Sequence, residues 1–169
     1  MKVNINYKGK PVELDIPDEK LEELVKEQKK TGWEKPGFGR EYWFVNNSGI
    51  VDKYTFSGHD IDKAICGNDC CFTSKELAEN IARYQSLDRR IRRRIAEICE
   101  PVDWNNYKKP IYLIMCDVLT RELLAAHCHR YRYSIGWYCD TQKHAEQIIA
   151  EFKDELLWYF TEFKDRMDG

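Results

Sequence analysis

The stretch Phe72-Thr73-Ser74-Lys75-Glu76-Leu77-Ala78-Glu79 returns in outline as Cys139-Asp140-Thr141-Gln142-Lys143-His144-Ala145-Glu146, and the fold is read outward from that pair. Each opens a helix. In the first, Thr73 or Ser74 supplies an N-cap, a side-chain oxygen that accepts from a first-turn amide lacking a helical partner, with Glu76 close behind. Laying Ala78-Glu79 over Ala145-Glu146 pairs Ser74 with Thr141, Asn80 with Gln147 and Ile81 with Ile148. A hairpin pattern precedes each helix. Tyr42-Trp43-Phe44-Val45 reads as a buried strand, Asn46-Asn47-Ser48-Gly49 as a tight turn, and Ile50 to Tyr54 as the return. Ile111 to Met115 reads as the second such strand, with a polar turn near Thr120-Arg121 and a return within Leu123 to Tyr133. Two copies of a hairpin-then-capped-helix unit account for the pattern, and chance recurrence of capping signals is the alternative. Either way the class is α+β, antiparallel β-hairpins backed by helices.

Ahead of the repeats, Val3, Ile5 and Tyr7 and then Val12, Leu14 and Ile16 alternate around Gly9-Lys10, which predicts an N-terminal hairpin. Pro17-Asp18 opens an amphipathic helix with Leu21, Leu24 and Val25 on its apolar stripe, stopping near Thr31-Gly32. The expected organisation is a single domain over residues 1–169: hairpin, helix and connector in 1–36, a first hairpin-helix unit in 37–100 and a second in 101–169. A chain of 169 residues with 43% hydrophobic and 33% charged residues is globular and can bury one sizeable core. No apolar run approaches the ~20 residues needed to cross a bilayer. The N-terminus lacks a signal-peptide core, so the expected location is the cytoplasm, with no membrane partner. The 7 cysteines are odd in number and irregularly spaced, which fits reduced thiols better than a disulfide framework.

The two long helices differ in charge. Leu77, Tyr84, Leu87, Ile91, Ile95 and Ile98 share one face of the first, while Arg83, Arg89, Arg90, Arg92, Arg93 and Arg94 lie around the rest. In the last helix Ala145, Ile148, Ile149, Phe152, Leu156, Tyr159, Phe160 and Phe163 form the buried stripe, and Glu146, Glu151, Asp154, Glu155, Glu162, Asp165 and Asp168 lie outside it. One basic and one acidic surface are therefore expected. Guanidinium forks match phosphate and carboxylate geometry. The six arginines, joined by Tyr131 and Arg132 on the second return strand, are accordingly the candidate partner-binding residues. The competing reading is a solvated face whose arginines pair with some of the 29 Asp and Glu of the same chain.

Other chemistry is thin. Cys66-x-x-x-Cys70 and His127-x-His129, within a wider set that includes Cys71, Cys99 and Cys128, are the nearest approach to a structural zinc site. Against it stand the short His-x-His spacing and the ordinary burial of free thiols. With 7 Cys and 4 His some nucleophile–base pair can always be drawn, and nothing resembles a phosphate-binding loop. The expectation is a binding protein without cofactor or catalytic residues, not an enzyme.

Several segments resemble a family of small proteins encoded by bacteriophages and prophages of Gram-positive bacteria. They are Gly32-Trp33-Glu34-Lys35-Pro36, the aromatic strand and turn from Tyr42 to Gly49, the run Phe72 to Ala82, Asp103-Trp104-Asn105, and Phe152 to Phe160. The likeness covers most of the chain from about residue 12 onward. This chain departs from the family in its cysteines and in Leu123-Leu124-Ala125-Ala126-His127-Cys128, where such proteins are tyrosine-rich and polar. A binding surface on that hairpin is then this chain's own. The resemblance implies an accessory factor acting in the host cytoplasm against a host defence protein or nucleoprotein, with a CRISPR effector as the first candidate and occlusion as the means. Direct contact with RNA or DNA in replication or regulation is one alternative, and an interaction module in phage assembly is another. A net charge of -2 argues against a DNA-mimicking decoy.

Overall fold

The computed structural model describes residues 2–7, 10–15, 31–68, 70–106, 108–128 and 136–165. The chain divides into two compact units, Met1–Thr31 and Gly32–Met167. In the first, β1 (Lys2–Tyr7) and β2 (Lys10–Asp15) form the expected antiparallel hairpin, with Val3 opposite Leu14 and Ile5 opposite Val12. The helix expected after Pro17 lies outside the described residues.

The second unit is built twice on one plan. Strands β3 (Glu41–Val45) and β4 (Val51–Thr55) make a hairpin, helix α1 (Asp60–Gly67) follows, and the short β5 (Cys71–Phe72) pairs with β3 before helix α2 (Lys75–Ile98). Then β6 (Ile111–Asp117) and β7 (Glu122–Cys128) make a hairpin, and β8 (Tyr138–Cys139) pairs with β6 before helices α3 (Gln142–Glu151) and α4 (Lys153–Thr161). The sheets run β4-β3-β5 and β7-β6-β8, antiparallel throughout. Phe72 lies opposite Trp43 and Cys139 opposite Tyr112. Two residues further on, Ser74 accepts from the Leu77 amide at 3.3 Å and Thr141 from the His144 amide at 3.2 Å. The alignment read from the capping signals is thus the alignment of the two sheets. Between the hairpin strands of the first copy, Asn46 Oδ1 accepts from the Ser48 and Ile50 amides, and Gly49 adopts φ 80°, a value that favours glycine.

The structure departs from the sequence reading in two places. The polar loop after β4 contains α1, whose N-cap His59 makes no side-chain cap bond, so no capping signal announced it. The single last helix is two, because Phe152 leaves helical geometry at φ -115°, ψ 19°. No proline or glycine marks that excursion, and residue periodicity does not register it. The return strand β7 is described over Glu122–Cys128, and the rest of the expected span lies outside the described residues.

Helix α2 serves both copies. Its first turns bury Leu77, Ala78 and Ile81 against Phe72 of β5, with Trp43, Val45 and Val51 around them. Its later turns bury Leu87 and Ile91 against Ile114, Trp137, Cys139, Ala145, Ile148 and Leu156, all of the second copy. Each large aliphatic side chain buried this way contributes roughly 1.5–3 kcal/mol. The connector is fixed to the start of the same helix. Glu34 accepts from the Gly32 amide and, at 2.7 Å, from the Thr73 hydroxyl, while the Trp33 ring meets Phe72 edge-on at 4.8 Å. No helix among the described residues is long and apolar enough to cross a membrane.

A polar post stands beside the first sheet. Asp62 of α1 is buried and accepts from the buried Tyr42 hydroxyl at 2.9 Å and from the Ser57 amide and hydroxyl at 2.8 and 2.7 Å. The Ser57 hydrogen bonds, outweighing the effect of burial, lower its pKa from 3.8 to about 2, and burial followed by the Asp62 bond pushes the Tyr42 phenol up. A carboxylate with a depressed folded pKa stabilises fully above its unfolded pKa, and that share is lost as pH falls through the folded value. Asp62→Asn is therefore expected to lower the melting temperature at neutral pH, with the difference from wild type shrinking between about pH 4 and pH 2. A difference independent of pH, measured by thermal melts across that range, would show that the ionised form carries none of the stability.

Candidate functional site

The arginines of α2 are mostly spent inside the fold. Arg94 forms a two-pronged pair with Glu151 at 2.8 Å and reaches Glu97 at 3.2 Å. Arg90 pairs with Glu155 and its guanidinium lies 5.5 Å from the Phe152 ring. Arg92 binds Asp88 through Nε at 2.8 and 2.9 Å, and the same carboxylate takes the Trp137 indole N–H at 2.9 Å. Arg83 sits 3.8 Å over the Trp158 ring. The basic face of α2 and the acidic faces of α3 and α4 thus meet each other, where two separate surfaces had been expected. Hydrogen bonds from Arg94 and then Gln147 hold the Glu151 carboxyl below its usual range. Exposed ion pairs add little stability, but these occupy the groups that were to grip a partner. Among the described residues Arg89 and Arg93, one turn apart, have no ion-pair partner, and the Arg89 guanidinium approaches the first hairpin turn at Gly49. Tyr131 and Arg132 lie outside the described residues.

Among the described residues Cys66, Cys70 and His127, members of the weak zinc candidate, do not form a metal-holding group. Cys66 is buried beside Tyr42 and Cys71, Cys70 is exposed and donates to the Asn68 carbonyl at 3.2 Å, and the His127 ring lies against Tyr112. His129 lies outside the described residues. A different group does assemble. Cys99, at the end of α2, meets Asp140 and His144, and one donor atom from each lies within 4.8 Å of the other two. His144 Nδ1 is 2.6 Å from Asp140 Oδ1, and Asp140 Oδ2 accepts from the Glu100 amide at 3.2 Å. Burial raises the Asp140 pKa, but its bonds to His144, Glu100 and Cys99 prevail and the net shift is downward. Burial pushes the thiols of Cys99 and its neighbour Cys139 up, the reverse of what an activated nucleophile needs. The only local signal for this cluster was the spacing Asp140-x-x-x-His144. Cys99 joins it only through tertiary packing.

An unclaimed apolar surface lies on the second hairpin. Its turn is firmly built: Asp117 Oδ1 accepts from the Leu119 and Thr120 amides at 2.9 and 3.2 Å, and Arg121 adopts φ 56°, where side-chain-bearing residues are rare. The turn presents Val118 and Leu119, 61% and 96% exposed. Met115 and Leu124, directly opposite one another across β6 and β7, are exposed as well. Strand β7 is an edge, and among the described residues nothing pairs with its outer side. Along it runs an open groove of about 750 Å³ whose apolar lining includes Leu123, Ala125, Ile149, Ala150 and Leu157. Glu122, Arg121, Gln142, Glu146 and Lys153 supply its polar lining.

Comparison with known proteins adds nothing to this geometry. The chain matches no family model, no curated protein and no solved structure. Its surfaces must be read from their own chemistry.

Proposed function

We propose that the protein is an accessory binding protein that docks a protein partner on its second hairpin. The observation that carries the reading is the pair Val118 and Leu119, held outward by a rigid turn beside an unpaired strand edge and an apolar groove. Turns normally carry polar residues, glycine or proline, and contiguous exposed apolar side chains mark contact surfaces. An extended segment of the partner would add to the β7 edge through main-chain hydrogen bonds, place alternate side chains in the groove and pack against the turn. The phage-family resemblance sets the partner class we propose, a host defence complex such as a CRISPR effector, bound in the host cytoplasm and blocked by occlusion. The second reading, direct contact with nucleic acid, rests on Arg89 and Arg93, cluster arginines that have neither a carboxylate nor an aromatic ring as partner among the described residues.

The test is co-purification from phage-infected host cells with tagged wild type, Val118→Asp/Leu119→Asp, and Arg89→Glu/Arg93→Glu, all shown folded by melting. Central apolar anchors contribute about 2 kcal/mol or more each, so the hairpin variant is expected to lose the co-eluting protein while the arginine variant keeps it. The opposite pattern, with binding that falls steeply with salt, would assign the function to the arginines and nucleic acid.

A further inference from the structure

We propose that Cys99, Asp140 and His144 form a binding site for a zinc-class divalent cation. The site shares no residue with the hairpin groove and does not depend on the docking reading. A thiolate, an imidazole and a carboxylate together are a donor set suited to zinc, whereas magnesium and calcium take oxygen ligands alone. A tetrahedral centre with bonds of about 2.0–2.3 Å sets its ligand atoms roughly 3.3–3.8 Å apart. The three donors already lie within 4.8 Å of one another, and the closest pair, Asp140 Oδ1 and His144 Nδ1, stands at 2.6 Å. Side-chain shifts of about 1 Å therefore suffice to admit the ion.

The backbone around the donors is fixed. Cys99 closes α2, its amide bonded to the Ile95 carbonyl at 2.8 Å. Asp140 follows directly on β8, and His144 sits in the first turn of α3 under the Thr141 cap. The Glu100 amide holds Asp140 Oδ2, an outer bond of the kind that orients a ligating carboxylate and leaves Oδ1 to the metal. A second observation lies beside the donors: Asp140 also lines an open cleft of about 320 Å³ with Glu100, Pro101, Asp103 and Lys109. That cleft would bring a fourth ligand, water or a small anion, up to Asp140. Bound there, the cation would tie the end of the first copy's helix to the start of the second copy's.

The test uses the full chain, purified under reducing conditions, stripped with a chelator and titrated with Co²⁺ and then Zn²⁺. Wild type is expected to take up a single equivalent of Co²⁺ with a thiolate-to-cobalt charge-transfer band, to lose the band to Zn²⁺, and to melt at higher temperature with Zn²⁺ present. Cys99→Ser and His144→Gln are each expected to weaken binding at least about 100-fold, and Cys70→Ser, which alters an exposed thiol, to leave it unchanged. His144→Gln keeps every thiol, so it decides the matter if Cys99→Ser does not fold. Absence of the band in wild type, its survival in His144→Gln, or its loss in Cys70→Ser would each overturn the assignment.

Discussion

Replacing Leu87 by alanine lowers the unfolding free energy of the Gly32–Met167 unit by about 2–5 kcal/mol, a large part of the about 5–15 kcal/mol typical of a whole domain. Leu87 is fully buried and lies in the cluster that α2 builds with Ile114, Trp137, Cys139, Ala145, Ile148 and Leu156. Those neighbours come from β6, the residues before β8, β8 itself, α3 and α4, so a cavity at this point loosens four elements of the second copy at once. Collapse around the lost atoms is hindered because each wall is anchored to a different segment. Chemical denaturation followed by tryptophan fluorescence reads the change. A loss below about 1 kcal/mol would mean that the site relaxes freely, in conflict with this packing.

The second copy alone is expected not to fold. A fragment of residues 101–169 keeps the strands, the Thr141 cap and both helices, but it lacks Leu87 and Ile91 and the carboxylate Asp88 that receives the Trp137 indole. It also leaves Glu151 and Glu155 without Arg94 and Arg90. The expected result is a chain with no cooperative melt and no near-ultraviolet circular dichroism, while residues 32–167 melt cooperatively. A cooperative transition in the isolated fragment would show that α2 is dispensable to the second copy.

Local signals carried most of the fold. The caps at Ser74 and Thr141, the Asn46–Gly49 turn and the alternation of the N-terminal strands each concern residues a few positions apart, and each was legible. The even phase of Leu77, Leu87 and Ile91 marked the buried face of α2, although it could not say that two different cores divide that face. What the sequence could not disclose was pairing at long range. Arginines spaced around a helix look free until the facing helix is known, and here the facing helix brings Glu151 and Glu155. Reversing Arg90 and Arg94 would set like charges against Glu155 and Glu151 within the fold, so such variants do not isolate a binding role. The Cys99, Asp140 and His144 cluster was hidden for the same reason, since two of its members read only as the opening of a helix. Leu119 was passed over because one apolar residue in a turn carries no periodic signal.

Because one rod of 24 residues underlies both hairpins, its length acts as a phase setting. An inserted residue between Ile81 and Leu87 would swing everything beyond it by about 100° and lift it by about 1.5 Å, turning the far half's greasy stripe away from its floor. Only near-whole turns keep the two halves in step. Insertions in the loops are therefore expected to cost far less stability than insertions along the rod.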